Sequence, residues 1–282
     1  LAPDHLGGEG ADVVGTGSRQ VHADLALQLW EAERDARPIP PLTERHADLQ
    51  VADAYAIQSR NLERKLAAGR VLRGRKVGLT SRAMQDLLGV DEPDFGVLLD
   101  DMFVEDGDEV DLRTLVQPRV EAEMAFVMGR DLAGPGVTTA NALAAIAGVL
   151  PAIEIVDSRI ADWKIRLVDT VADNASSGKL VVGGKLTRVT NLDLRLTGMA
   201  ISRNGSLIDT GAGAAALGNP ARCVAWLANK LAAFGATLRA DDIVLPGALH
   251  RMVPVRPGDV FRAEFAHLGP VTARFSEGGG PG

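Results

Sequence analysis

The run Gln117-Pro118-Arg119-Val120-Glu121-Ala122-Glu123-Met124-Ala125-Phe126-Val127 sets the architecture of this chain. Apolar residues flank two glutamates spaced i, i+2, and in a strand that spacing puts both carboxylates on one face, about 7 Å apart. About one secondary-structure unit later, Pro151-Ala152-Ile153-Glu154-Ile155-Val156-Asp157-Ser158-Arg159 repeats the anomaly, with Glu154 alone inside a core-like strand. Burying three carboxylates without a partner is prohibitive, so either they protonate or they surround a cation. All-oxygen ligation of this kind suits a hard divalent ion, Mg²⁺ or Mn²⁺, with water or substrate oxygens completing the shell. Glu-x-Glu is also common on the solvent face of ordinary strands, so both readings stand at this point.

Composition narrows the class. The chain has 282 residues, enough for one large domain, or a main domain with a small appendage, around a sizeable core. Hydrophobic residues make up 46% and charged residues 24%, as in an ordinary globular protein. A net charge of −7 with no basic block argues against nucleic acid or an anionic membrane as partner. The single cysteine, Cys223, excludes an internal disulfide and fits a reducing cytoplasm. No apolar run reaches the length of a membrane span, and no signal peptide is visible.

Outward from the two acidic strands, residues 1–20 read as a flexible leader and 21–70 as an N-terminal helical segment. Residues 71–275 read as the catalytic β-rich domain, and 276–282 as a disordered tail. Helices are expected over Val21–Ala36, with Leu25, Leu29 and Ala32 on one stripe, and over Asp53–Ala68, with Tyr55, Gln58, Leu62 and Leu66 on its face. Tyr55 reads as core. From Val71 to Leu79 the pattern is β, and the glycines flanking Arg75-Lys76-Val77 suggest a close backbone approach. On local sequence alone Lys76 reads as a solvated strand lysine. A short helix is expected over Ser81–Leu88, and Asp91–Gly96 reads as a turn-rich loop at a pocket rim, followed by a strand at Val97–Leu99. Gly107–Leu115 is a turn-and-strand approach to the Glu-x-Glu strand. A helix capped by Thr138 and running over Ala140–Val149 is expected to make the two acidic strands a crossover unit. Val168–Gly178 ends in small polar residues, either a polar turn or a backbone N–H cradle for an anion.

The last third is β-rich. Strands are expected at Leu180–Val182 and Leu192–Ser202, the latter ending in an Asn204-Gly205 hairpin turn. A helix capped by Asn219 and opened by Pro220 carries Cys223 on its apolar side. Ile243–His250 reads as a strand running into a turn, with His250 just past the strand end, able to reach a pocket but more readily an exposed loop histidine. Val253–Val255, Asp259–Phe265 and Val271–Phe275 then complete an antiparallel set.

Together, Gly74-Arg75-Lys76-Val77-Gly78-Leu79-Thr80, Asp91–Gly96, Gln117–Glu123, Pro151–Glu154 and Val168–Ser176 resemble the 2-hydroxypenta-2,4-dienoate (2-oxopent-4-enoate) hydratases. These are bacterial enzymes of aromatic meta-cleavage pathways within the fumarylacetoacetate hydrolase superfamily. The likeness runs from about Val21 to Phe275. It implies an α+β fold, a mixed β-roll with flanking helices, and a homo-oligomer. It also implies a divalent metal, Mg²⁺ or Mn²⁺, held by Glu121, Glu123 and Glu154, and a small 2-hydroxy-dienoate or 2-oxo acid substrate. Association with a pathway decarboxylase or aldolase is a further expectation. Lys76 is the candidate for polarising the substrate oxygen or delivering a proton, its pKa lowered by a nearby cation. Asp94 and Asp173 are candidates for positioning water, and Leu79, Thr80, Ser176 and Ser177 for binding substrate. The sister 4-oxalocrotonate decarboxylases share the metal triad. Asp162-Trp163, Val168-Asp169-Thr170 and Gly247-Ala248-Leu249 look hydratase-like, whereas Gly211–Ala215 leans towards the decarboxylases. Pro246 stands where either group is expected to carry threonine. A catalytically silent scaffold subunit is the alternative of another class.

Overall fold

The structure, a computed structural model, describes residues 16–82, 85, 86 and 89–276. The expected leader up to residue 15, half of the Ser81–Leu88 helix and the tail after Ser276 lie outside the described residues. Two helices open the chain, α1 (Thr16–Arg34) and, after the short α2 (Leu42–Arg45), α3 (Val51–Ala67). The expected stripe of α1 is buried at Leu25, Leu29 and Ala32. On α3, Tyr55 stacks on Phe95 with ring centroids 4.6 Å apart. One turn on, the buried Gln58 donates through Nε2 to Phe95 O and Val171 O. Among the described residues no helix is long and apolar enough to cross a membrane.

The helices flank an eight-stranded mixed sheet. Its strands are β1 (Leu72–Gly78), β2 (Asp94–Leu99), β3 (Phe103–Val104), β5 (Pro118–Met128), β6 (Ile146–Asp157), β7 (Ser177–Val182), β10 (Ile243–Leu245) and β11 (Val253–Pro254). They run in the order β2-β1-β10-β5-β6-β7-β3, with β11 also on β5. A second sheet holds β4 (Glu109–Val110), β8 (Gly198–Arg203), β9 (Ser206–Ala212), β12 (Val260–Phe265) and β13 (Gly269–Phe275), in the order β4-β13-β12-β8-β9. Three further helices are α4 (Thr139–Ala145), α5 (Leu167–Ala172) and α6 (Pro220–Ala232). Asn219 caps α6 by accepting from Ala221 N–H, and Cys223 is buried in the core.

Strand β5 sorts its side chains by parity, as the period of two requires. Val120, Ala122, Met124, Phe126 and Met128 enter the main core. On the other face Ala125 joins a smaller core with Ala152, Leu180, Leu245 and Val97. Glu121 and Glu123 stand on that second face, at the rim of the smaller core.

Several expectations are corrected. The two acidic strands do not form a crossover unit but pair directly and antiparallel, Glu121 opposite Glu154. The helix before β6 stops at Ala145, because Ile146 and Gly148-Val149 already pair with β5. A seven-residue helix is only about 10 Å long, too short to run back along eleven strand residues. The chain instead turns at once, with Gly129 N–H donating to Ala145 O at 2.7 Å. Asp94, Phe95 and Gly96 belong to β2 rather than to a rim loop. The β8 strand begins at Gly198, not Leu192, although the Asn204-Gly205 turn is present with both φ positive. β11 pairs with β5 instead of joining β12 and β13. Between β10 and β11 the chain leaves the sheet, and the N–H of Ala122 needs another acceptor. His250 supplies it through Nε2 at 2.8 Å, so this histidine is a buried partner of β5 and not an exposed loop residue.

Candidate metal centre

Glu121, Glu123 and Glu154 each offer a carboxylate oxygen, and the three atoms lie within 4.8 Å of one another. Their positions follow from the β5/β6 register: Glu121 is directly opposite Glu154, and Glu123 is two residues along the same face. Gly247 N–H, from the segment that leaves the sheet after β10, donates to Glu123 Oε2 at 2.8 Å.

Lys76 reaches the group from β1. Three ladder steps separate β1 from β6, roughly 14 Å in a flat sheet. Lys76 Nζ nevertheless lies 3.4 Å from Glu154 Oε1, because the sheet curls and both side chains lean into its concave side. Asp94 joins them from β2, where it pairs with Gly78 while Gly96 pairs with Lys76. The two glycines leave necessary space. A Cβ on Gly78 would lie 2.1 Å from Asp94 Oδ1, and one on Gly96 would lie 2.5 Å from Asn174 O. The close approach expected around Arg75-Lys76-Val77 is thus made by Asp94 at Gly78. At Gly74 it is made by the β10 backbone, with Ile243 O 1.9 Å from an ideal Cβ.

The electrostatics are those of four buried carboxylates around one amine. Burial, reinforced by Glu154, pushes Glu121 up to about 7. Burial and its two glutamate neighbours hold Glu123 well above the carboxylate range. Burial also raises Glu154, against the pull of Lys76, and lifts Asp94 to about 6. Burial alone would discharge Lys76, but Glu154, Asp94, Glu121 and Glu123 hold its ammonium above the ordinary value. The lowering expected of Lys76 depends on a cation; the four carboxylates around the amine by themselves act in the opposite direction. Among the described residues neither oxygen of Glu154 accepts a hydrogen bond, though Lys76 Nζ faces Oε1, and Asp94 Oδ1 accepts none either, although all are buried. Three carboxylates with oxygens within 4.8 Å of one another, those of Glu154 accepting no hydrogen bond among the described residues, fit a hard divalent cation such as Mg²⁺ or Mn²⁺.

The remaining site expectations fall in two places. Leu79 and Thr80 follow β1: Leu79 has φ +56°, and the Thr80 hydroxyl fills the space a Cβ on Gly247 would need, at 2.0 Å. Asn174, Ala175 and Ser176 form a left-handed turn, φ +54°, +51° and +54°, lying over Gly96 and hence over the Lys76 end of the site. The Asn174 carboxamide clamps this turn to β2, accepting from Val97 N–H and donating to Val97 O. Ser176 N–H donates to Asp173 O and Ser177 N–H to Asn174 O, so these groups are engaged within the turn and form no anion cradle. The Ser177 hydroxyl donates to Asn174 O, and the Ser176 hydroxyl meets only Thr170 Oγ1, at 3.3 Å.

Asp173 is not brought to the triad. Both its carboxylate oxygens accept from Arg159, one from the guanidinium and one from the backbone N–H. Burial lifts Asp173 to about 7 against the pull of Arg159. Arg159 also donates to Asp157 O, Ser177 O and Asp173 O, so the pair braces the turn that carries Ser176. A separate cavity of about 30 Å³, lined by Glu33, Gln58, Lys65, Arg159 and Asp173, lies beside it and has room for about one water. Gly247 and Arg119, both beside the triad, were not among the expected site residues; Gly247 stood out only within the hydratase-like Gly247-Ala248-Leu249 run, and Arg119 only by sharing the strand face of Glu121 and Glu123.

Comparison with known proteins agrees with this geometry. Residues 66–276 match the family model for the fumarylacetoacetate hydrolase C-terminal domain. The chain is 50% identical over 256 residues to a 2-keto-4-pentenoate hydratase of Paraburkholderia xenovorans, covering 91% of this chain and 95% of that protein. It is 51% identical over 213 residues to a 2-hydroxypent-2,4-dienoate hydratase of Pseudomonas putida, covering 75% of this chain and 96% of that one. In structure it resembles the 4-oxalocrotonate decarboxylase of Pseudomonas putida G7 complexed with magnesium and adipate. The TM-score is 0.89 and the identity 38%, over 91% of this chain and 98% of the decarboxylase. By sequence and fold together, the chain belongs to the 2-keto-4-pentenoate hydratase family of the fumarylacetoacetate hydrolase superfamily.

Proposed function

We propose that this chain adds water to 2-hydroxypenta-2,4-dienoate, or a close analogue, to give 4-hydroxy-2-oxopentanoate in the meta-cleavage degradation of aromatic compounds. The observation that carries the reading is the convergence of Glu121, Glu123 and Glu154 beside Lys76 and Asp94 in one buried cluster. Glu121, Glu123 and Glu154 would hold Mg²⁺ or Mn²⁺, and likeness to a decarboxylase crystallised with magnesium supports that choice. When bound, such an ion would supply an anchor for the substrate and Lewis acidity at its 2-oxygen.

The chain's own groups manage charge and protons. The Lys76 ammonium, held charged by its carboxylate neighbours, stabilises negative charge on the 2-oxygen as the dienol loses its proton. Protonation at C5 gives the 2-oxo-3-enoate, and its conjugated carbonyl makes C4 open to water. Asp94, lifted to about 6 by burial and with Oδ1 unengaged, can give a proton and take one back near neutral pH. Water enters at C4 and a proton at C3, completing the hydration. The turn at Asn174–Ser176 lies over Gly96, the strand partner of Lys76, at this end of the site.

Product analysis by NMR, with and without Mg²⁺, tests the proposal. Formation of 4-hydroxy-2-oxopentanoate that ceases in chelator is the expected result. The structural likeness to a decarboxylase supports one second reading, in which 2-oxo-3-hexenedioate loses carbon dioxide. Release of carbon dioxide from that substrate, without hydration of the dienoate, would transfer the assignment. A homo-oligomer fits the family, and sedimentation would measure its size.

A further inference from the structure

We infer that Arg119, braced on the ring of Trp163, is the cation that receives the substrate's carboxylate at the mouth of the metal site. This rests on the 2-oxo-acid chemistry proposed above. Arg119 lies two residues before Glu121 and four before Glu123 on β5, so all three side chains leave the same face of the strand. Its guanidinium is half-buried, 4.4 Å from the centroid of the Trp163 ring. Among the described residues it makes no ion pair and no hydrogen bond. Other arginines of this chain pair with a nearby aspartate, as Arg113 does with Asp111 and Arg195 with Asp193. Arg119 keeps its N–H donors unengaged beside the metal ligands.

The bracing is built. Trp163 Nε1–H donates to Gln117 O at 3.1 Å, and Asp162 N–H donates to Gln117 Oε1 at 2.8 Å. Gln117 Nε2 in turn donates to Ser158 O and Ile160 O, tying the turn after β6 to the start of β5. Asp162 and Trp163 both sit in the left-handed region, φ +58° and +55°. A bulky residue holds such a backbone only where its surroundings impose it, and here the result is an indole laid against Arg119.

Charge gives this arrangement a purpose. Three ionised glutamates use up the charge of one divalent ion and of the Lys76 ammonium, leaving no positive charge to spare for an anionic substrate. A carboxylate that chelates through one oxygen has its second oxygen in need of a donor. A guanidinium held flat on an aromatic face offers a planar fork matched to that group, which a lysine ammonium does not.

The experiment is calorimetric titration in Mg²⁺ with 2-oxopentanoate and with its uncharged amide, 2-oxopentanamide. The unsubstituted protein is compared with Arg119→Met, Arg119→Lys and Trp163→Leu, each also titrated with Mg²⁺ alone. Arg119→Met should weaken the acid ~10- to 100-fold and the amide less than about 3-fold, the loss expected of one charge-assisted hydrogen-bonded pair. It should tighten Mg²⁺ by ~2- to 5-fold, since a cation beside the ligands is gone. Arg119→Lys, which keeps the charge should the methionine variant fail to fold, should weaken the acid by ~3- to 10-fold and spare the amide. Trp163→Leu should lie between the two. Equal loss for acid and amide in Arg119→Met, or looser Mg²⁺ binding, overturns the inference alone. Absence of Mg²⁺-dependent binding of either probe to the unsubstituted protein overturns the function and the inference together.

Discussion

Replacing one metal ligand should make the metal-free protein more stable while abolishing its response to metal. In the ion-free cluster, burial and the neighbouring Glu154 push Glu121 from its ordinary 4.5 to about 7. Such a group contributes its full stability below about pH 4.5 and loses it as pH rises through about 7, because the folded chain then carries a charge it disfavours. At ~1.4 kcal/mol per pH unit of displacement the cost at pH 8 approaches ~3 kcal/mol. Partial exposure of Glu121 to solvent brings this to ~1–3 kcal/mol. Glu121→Gln removes the charge and keeps the shape. For a chain of this size the gain corresponds to a rise in Tm of ~2–8 °C. Thermal unfolding in chelator at pH 8 should show that rise, and at pH 5 the difference should shrink towards zero as the unsubstituted carboxyl protonates. Adding Mg²⁺ at pH 8 should then raise the Tm of the unsubstituted protein and leave Glu121→Gln unmoved. A variant less stable than its parent at pH 8 in chelator, or a difference independent of pH, would refute the view of Glu121 as a destabilising charge awaiting a cation.

Lys76→Met should lower turnover by ~10²-fold or more, read as kcat, while Mg²⁺ still binds, and binds more tightly because an ammonium 3.4 Å from Glu154 is gone. Mg²⁺ affinity should fall as pH drops from 8 to 6, because protons compete for carboxylates lifted towards neutrality; calorimetry in two buffers should also show protons released on binding. Gly96→Ala should cut activity more than it cuts stability, since its Cβ meets the backbone of the turn at Asn174, 2.5 Å away, and must displace that turn from the site. Asn174→Ala should lower stability by ~1–3 kcal/mol in denaturant unfolding, having lost both hydrogen bonds to Val97.

The parts of this architecture legible in the sequence are those set by local periodicity. The alternation around Glu121 and Glu123 reports a strand with one acidic and one apolar face, and both faces are as expected because pleat parity holds along all of β5. Asn219-Pro220 reports a helix start for equally local reasons. What was illegible depends on which strands become neighbours. The return from β5 to β6 was misjudged because Ile146–Val149 suits helix or strand in isolation, and only the ladder with Phe126 and Val127 decides. Lys76 reaches Glu154 through the curl of a whole sheet, which no short window encodes. Asp173 was a candidate for positioning water only through the family resemblance, and its partner Arg159 lies just beyond the end of another strand, which no local pattern announces. His250 read as an exposed loop residue because nothing nearby announces the gap between β10 and β11 that leaves Ala122 N–H needing an acceptor.

The claim on which the account turns is that three glutamates from two antiparallel strands share one divalent ion. Anomalous scattering from crystals soaked in Mn²⁺ tests it directly. The account predicts one strong peak within ~2.0–2.3 Å of a carboxylate oxygen from each of Glu121, Glu123 and Glu154. A map with no peak there, or with manganese bound only at other carboxylates, would contradict it.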